Sequence, residues 1–112
     1  MNAYHVGYLY ELRAARYVRQ KGFRILNRRY RAADGEIDLI ALDGETLVFI
    51  EVKARPDGAL GSGAEAVTAD KRRRVRHAAQ AYCQRNGCTD RICRYDILEF
   101  SRAGVYYMEN AF

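Results

Sequence analysis

The sequence predicts an α/β fold built on a mixed β-sheet, with elements in the order αβββαββ. Three observations carry that expectation. Two stretches, roughly residues 7–21 and 68–85, set apolar side chains at helical spacing. Three shorter stretches between them are dense in bulky and β-branched residues. Asp-Gly pairs at 34–35 and 43–44 punctuate those stretches at hairpin distance. A chain of 112 residues suffices for one modest core, so a single domain over residues 1–112 is expected.

In the first helix, Gly7 to Lys21, the residues Leu9, Leu12, Ala15 and Val18 recur near one face, and Gly22 supplies a stop. Phe23 to Arg31 (FRILNRRYR) is short and bulky, and reads as a strand. The Asp34-Gly35 turn leads into Glu36 to Leu42 (EIDLIAL), a second strand. Asp43-Gly44 then turns the chain into Thr46 to Ala54 (TLVFIEVKA), the clearest strand in the sequence. A turn this short makes the pair an antiparallel hairpin. Pro56, the only proline, ends it, and residues 57–63 (DGALGSG) form a flexible loop. Thr68 can N-cap a second helix reaching about Arg85. Arg91 to Phe100 and Gly104 to Glu109 supply two last strands around a turn at residues 101–103.

Composition removes several classes. A hydrophobic fraction of 49% with 29% charged residues is globular rather than disordered. No apolar run approaches the roughly 20 residues that span a bilayer, and the first residues lack a signal peptide's apolar core. No membrane partner is expected. The three cysteines, Cys83, Cys88 and Cys93, cannot all pair within one chain, and no CxxC or nearby His completes a zinc set. They read as reduced thiols of a cytoplasmic protein.

The net charge of +5 is unevenly distributed. Arg13 to Arg31 holds eight basic residues and no acid, and Lys71 to Arg76 holds five in six positions. Arginine suits planar, bidentate phosphate contact, although a solvated helix face would look the same. Between the basic segments lies a small acidic set. Side chains two apart on a strand share a face, so Asp38 is expected beside Glu36 and Ile40, with Ile37 and Leu39 opposite. In the next strand Glu51 and Lys53 share a face with Leu47 and Phe49, while Val48, Ile50 and Val52 take the other. Charge in such an apolar strand needs a partner or a metal. A salt bridge from Lys53 to Glu51 or Asp38 is one solution. Two carboxylates on adjacent strands holding an oxygen-preferring cation such as Mg²⁺ or Mn²⁺ is another.

An Asp followed 13 residues later by Glu-x-Lys is the pattern of the PD-(D/E)xK nuclease superfamily. The likeness extends further: Gly7, Glu11 and Ala14-Ala15; Gly22 before Arg24-Ile25-Leu26; NRRYR at 27–31; GEIDLI at 35–40; FIEVKAR at 49–55; Glu65-Ala66-Val67 with Lys71; and Arg94-Tyr95-Asp96. In this order the pieces resemble the YraN family (uncharacterised protein family UPF0102), small nuclease-fold proteins related to archaeal Holliday-junction resolvases. The resemblance covers roughly residues 7–100. Tyr10, where the family more often has Gly, and Ala54, where Thr is common, depart from the pattern.

The resemblance implies a restriction-endonuclease-like core and Mg²⁺- or Mn²⁺-dependent hydrolysis of DNA, including branched DNA. It implies Asp38 and Glu51 as metal ligands, Lys53 as the catalytic lysine, and Glu11 as a further metal-site acid beside Tyr8, Ala14, Ala15 and Val18. Glu36 stands in a second tier, since a salt bridge to Arg31 or Arg55 explains it equally well. Lys71, on the stripe of Val75, Ala78, Ala79 and Tyr82, is placed to reach the same site. Arg28, Arg29, Arg31, Arg55, Arg72, Arg73 and Arg76 are the candidate phosphate contacts. Symmetric cutting of a junction would call for a homodimer. A nucleic-acid-binding module that keeps the fold without cleaving fits the same residues, and so does an adaptor for an acidic protein.

Overall fold

A computed structural model describes residues 3–32, 34–55 and 67–112, with side chains from residue 9 onward. Pro56, the 57–63 loop, Glu65-Ala66 and the Tyr8 side chain lie outside the described residues. The order is α1 (Ala3–Gln20), β1 (Arg24–Ala32), β2 (Gly35–Asp43), β3 (Thr46–Ala54), α2 (Ala69–Asn86), β4 (Cys93–Ser101) and β5 (Gly104–Met108). The expected αβββαββ order is therefore the observed one. Helix α1 begins four residues earlier than expected, because Gly7 weakens a helix without ending one. Thr68 caps α2, accepting a hydrogen bond from the Lys71 amide, and Gly87 closes it at φ 67°.

The five strands form one sheet in the order β1-β2-β3-β4-β5. Hairpins make every neighbouring pair antiparallel except β3 with β4, which run parallel because the chain crosses through α2 between them. Strand β3 is central, and Leu47 to Glu51 are all buried. On one face Ala14, Ala15 and Val18 of α1 pack against Leu39, Ala41, Val48, Ile50, Leu98 and Phe100. On the other, Val75, Ala78, Ala79 and Tyr82 of α2 cover Ile37, Ile40, Leu47 and Phe49. Small alanines on both helices let the backbones sit close to the sheet.

This packing corrects one expectation. Ile37 and Ile40 both face α2, whereas Leu39 and Ala41 face α1. The alternation of β2 therefore slips by one residue around Asp38, and simple two-residue periodicity does not hold across it. In β3 the expected division holds, with Leu47 and Phe49 on the α2 side and Val48, Ile50 and Val52 on the α1 side.

At the far end of the sheet a buried polar knot fastens the last strand. Asp96 has no exposed surface and accepts from Arg94 Nε, Tyr107 Oη at 2.6 Å and the Asn110 amide. Arg94 also reaches Asp43 at 2.9 Å, tying the β2–β3 turn to β4. The three cysteines, all free, lie at the end of α2 and the start of β4: Cys83 is buried, Cys88 half-buried and Cys93 exposed.

Helix α2 approaches the β1–β2 turn so closely that a Cβ on Gly35 would stand 2.2 Å from the Arg74 carbonyl oxygen and 2.8 Å from its carbon. Backbone atoms cannot swing aside as a side chain can. Gly35→Ala is expected to lower stability by about 1–3 kcal/mol through forced separation of helix and turn, read by urea denaturation. An unchanged midpoint would show that the helix yields freely there.

Candidate functional site

The site forms where β2 and β3 stop pairing. Their ladder runs from Asp43↔Thr46 to Leu39↔Ile50, leaving the Val52 amide beyond its end. Asp38 Oδ2 accepts that amide at 2.8 Å, so a side-chain carboxylate does the work of a missing strand carbonyl. One residue to either side, Glu51 and Lys53 project toward α2. Glu51 is 5% exposed, and its Oε1 lies 3.8 Å from Lys53 Nζ and 3.6 Å from Lys71 Nζ. Lys71 arrives from the first turn of α2, as its helical stripe predicted. Glu51 Oε2 is also buried, and it has no hydrogen-bond partner among the described residues.

Burial dominates the electrostatics. Burial first and the Asp38 charge second push the Glu51 carboxyl up to about 7 against the opposing charges of Lys71 and Lys53. Burial raises Asp38 as well, against the Val52 hydrogen bond and the two lysines. Burial thus makes ionisation of both acids harder than in water. The pair thus has the donor chemistry of a hard cation site: two oxygens on adjacent strands, one of them orphaned. Among the described residues, no group of three or more His, Cys, Asp or Glu side chains converges as a complete metal-ligand set.

The remaining acids are engaged elsewhere. Glu11, buried on α1, forms an ion pair with Arg29 of β1. Glu36 turns outward to Arg31 at 3.3 Å. Several candidate phosphate contacts also have partners. Arg73 bridges Asp70 and Asp34, at 2.8 and 3.3 Å. Arg72 donates to the Val67 carbonyl, and Arg72 and Arg76 lie over the Phe112 ring. Arg28 is exposed on β1, and the Arg55 amide donates to the Phe100 carbonyl beside β4. A cavity of about 570 Å³ is lined by Arg31, Asp34, Gly35, Glu36, Lys71 and Arg74, and so shares Lys71 with the site.

One nearby acid escaped sequence reasoning. Glu99 on β4 is fully buried and stands opposite Lys53 in the parallel register. Its signal was present: an acid inside the apolar run ILEF, the same kind of interruption that singled out Glu51 in FIEV.

Comparison with known proteins shows the family by sequence. The model of a family described as "Uncharacterised protein family UPF0102" matches residues 10–100. A UPF0102 protein of Marinobacter nauticus is 46% identical over 111 residues, covering 95% of this chain and 90% of its own. A UPF0102 protein of Hahella chejuensis is 41% identical, with 96% and 89% covered. One from Pelotomaculum thermopropionicum is 40% identical, with 96% and 94% covered.

The raised Glu51 carboxyl has a stability consequence with a definite sign. An unfolded Glu ionises near 4.5 and the folded one near 7, so the folded state holds the extra proton between these values. Without divalent metal, stability should therefore fall as pH rises from about 4.5 to about 7, by about 2–3 kcal/mol, and level off above. Glu51→Gln should make that slope shallower, leaving the part due to buried Asp38, and stabilise the metal-free protein at pH 8. Urea denaturation in chelator across this range tests it, and parallel curves for the two proteins would refute it.

Proposed function

The chain belongs to the uncharacterised protein family UPF0102, and from its site we propose that it is a divalent-metal-dependent nuclease hydrolysing DNA phosphodiesters. The observation that carries this reading is the buried, unpartnered Oε2 of Glu51 beside the Asp38 carboxylate. Asp38 and Glu51 would hold Mg²⁺ or Mn²⁺, the hard cations that oxygen donors prefer. Such a cation supplies Lewis acidity toward the phosphate and makes water a stronger nucleophile at neutral pH.

The chain's own side chains do the rest. Lys53, held against Glu51 Oε1 and 28% exposed, can orient a water or meet charge developing on a phosphate oxygen. Lys71 neutralises the same carboxylate from the helix side. Arg28 and Arg31 on β1 are exposed, and Arg31 and Lys71 line one cavity, where a phosphate backbone would meet positive charge. Glu11 would join the cation only by exchanging its Arg29 partner. Cutting a branched junction on both strands needs two such sites, so a two-fold dimer accompanies that substrate. Free thiols suit a cytoplasmic setting. Among the described residues, no helix is long and apolar enough to cross a membrane.

A second reading is a nucleic-acid-binding module that does not cleave. It is favoured by Glu11 and Glu36 both being engaged by arginines, which leaves two acids for the cation.

Mn²⁺ titration by calorimetry, paired with cleavage of linear and branched DNA, separates these readings. The nuclease reading expects binding that Asp38→Asn and Glu51→Gln abolish, with cleavage lost by about 100-fold or more in those variants. Lys53→Ala should bind metal yet lose cleavage by about 100-fold. Metal binding without cleavage of any DNA or RNA substrate would favour the module. Wild type and both acid variants inert toward metal and substrate alike would end the catalytic reading.

A further inference from the structure

Arg29 has φ 53°, in the left-handed region that bulky L-residues seldom occupy. Its place in the sheet is specific. Strands β1 and β2 pair regularly at Arg28↔Leu39 and again at Tyr30↔Ile37, so Arg29 and Asp38 stand opposite each other on the rung between. That rung is where the sheet's alternation slips. Leu39 packs on the α1 side, and two residues on, Ile37 packs with Tyr30 on the α2 side. A regular pair of strands would keep Leu39 and Ile37 on one face. Arg29, on the β1 side of that rung, has the left-handed backbone.

We propose that Arg29 is a positioning residue: its left-handed backbone turns the Asp38 rung out of ordinary strand alternation, so that the Asp38 carboxylate enters the seam between β2 and β3. There it takes the Val52 amide at 2.8 Å and comes within electrostatic reach of Glu51, Lys53 and Lys71. The guanidinium is fastened on the other side by its ion pair with buried Glu11. Glu11 thus acts on the site through Arg29, holding a strained backbone that the side chain alone would not favour. The consequence for metal binding rests on the Asp38–Glu51 reading above, whereas the geometry of Asp38 and Val52 does not.

Substitution at residue 29 can separate backbone from side chain. Glycine and asparagine accept the left-handed region, alanine accepts it poorly, and β-branched valine opposes it. Two readouts apply to each variant: hydrogen exchange of the Val52 amide in metal-free protein, referenced to the Val48 amide deeper in the same strand, and Mn²⁺ affinity. Arg29→Gly and Arg29→Asn should keep both within about threefold of wild type, and Arg29→Val should lose both by about tenfold or more. If the valine variant does not fold, Arg29→Ala takes its place, with a loss in the same direction. Unchanged Val52 exchange in the valine or alanine variant would overturn the proposal. So would an equal loss in the glycine and asparagine variants, which would assign the effect to the guanidinium instead. Should wild type bind no Mn²⁺, the metal reading fails by itself, and Val52 exchange across the four variants still decides the role of Arg29.

Discussion

A single hydrogen bond, from the Val52 amide to Asp38 Oδ2, organises the chemistry of this molecule. Strand pairing would ordinarily close that position with a carbonyl and leave no side chain in the seam. Here the ladder stops at Leu39↔Ile50, and the carboxylate continues it. The bond joins β2 to β3 and fixes the carboxylate one residue from Glu51 and one from Lys53. An acid held this way cannot swing into water, so its charge must be answered from within the site.

The answer is incomplete, and that incompleteness defines the site. Both lysines direct their ammonium groups at Glu51 Oε1, leaving Oε2 buried without a described partner. A pair of exposed ion pairs would contribute little and leave no such imbalance. Burial makes the imbalance expensive, which is why the Glu51 carboxyl sits near neutrality rather than in the usual carboxylate range. A proton on Glu51 would relieve the imbalance, and so would further positive charge at Oε2.

Much of this was legible in the sequence, because it follows from local pattern. Strand β3 announced itself through TLVFI and its turn, and the acid and base ending that run were evident misfits. The reach of Lys71 followed from helical spacing with Val75, Ala78 and Ala79. What stayed hidden depends on tertiary geometry. Two-residue alternation assigned Ile37 and Leu39 to one face, and no local signal reports either their parting or the left-handed backbone at Arg29 on the facing strand. Similarly, a basic cluster in sequence does not disclose its partners. Arg73 is shared by two acids, and Arg72 and Arg76 lean on Phe112. The positive charge of α2 is consequently part of the fold's own wiring as well as a face toward solvent.

The free cysteines acquire a meaning from where α2 puts them. Lys71 and Cys83 mark the two ends of one helix, twelve residues or roughly 18 Å apart at 1.5 Å per residue. Burial and the neighbouring thiols push the Cys83 thiol up to about 12, which favours its protonated form. Sulfur binds zinc and copper as thiolate, and zinc and copper outcompete magnesium or manganese at most mixed sites. The helix thereby keeps the sulfur groups at one end and the oxygen pair at the other, so a change in the redox state of the thiols need not disturb the carboxylates.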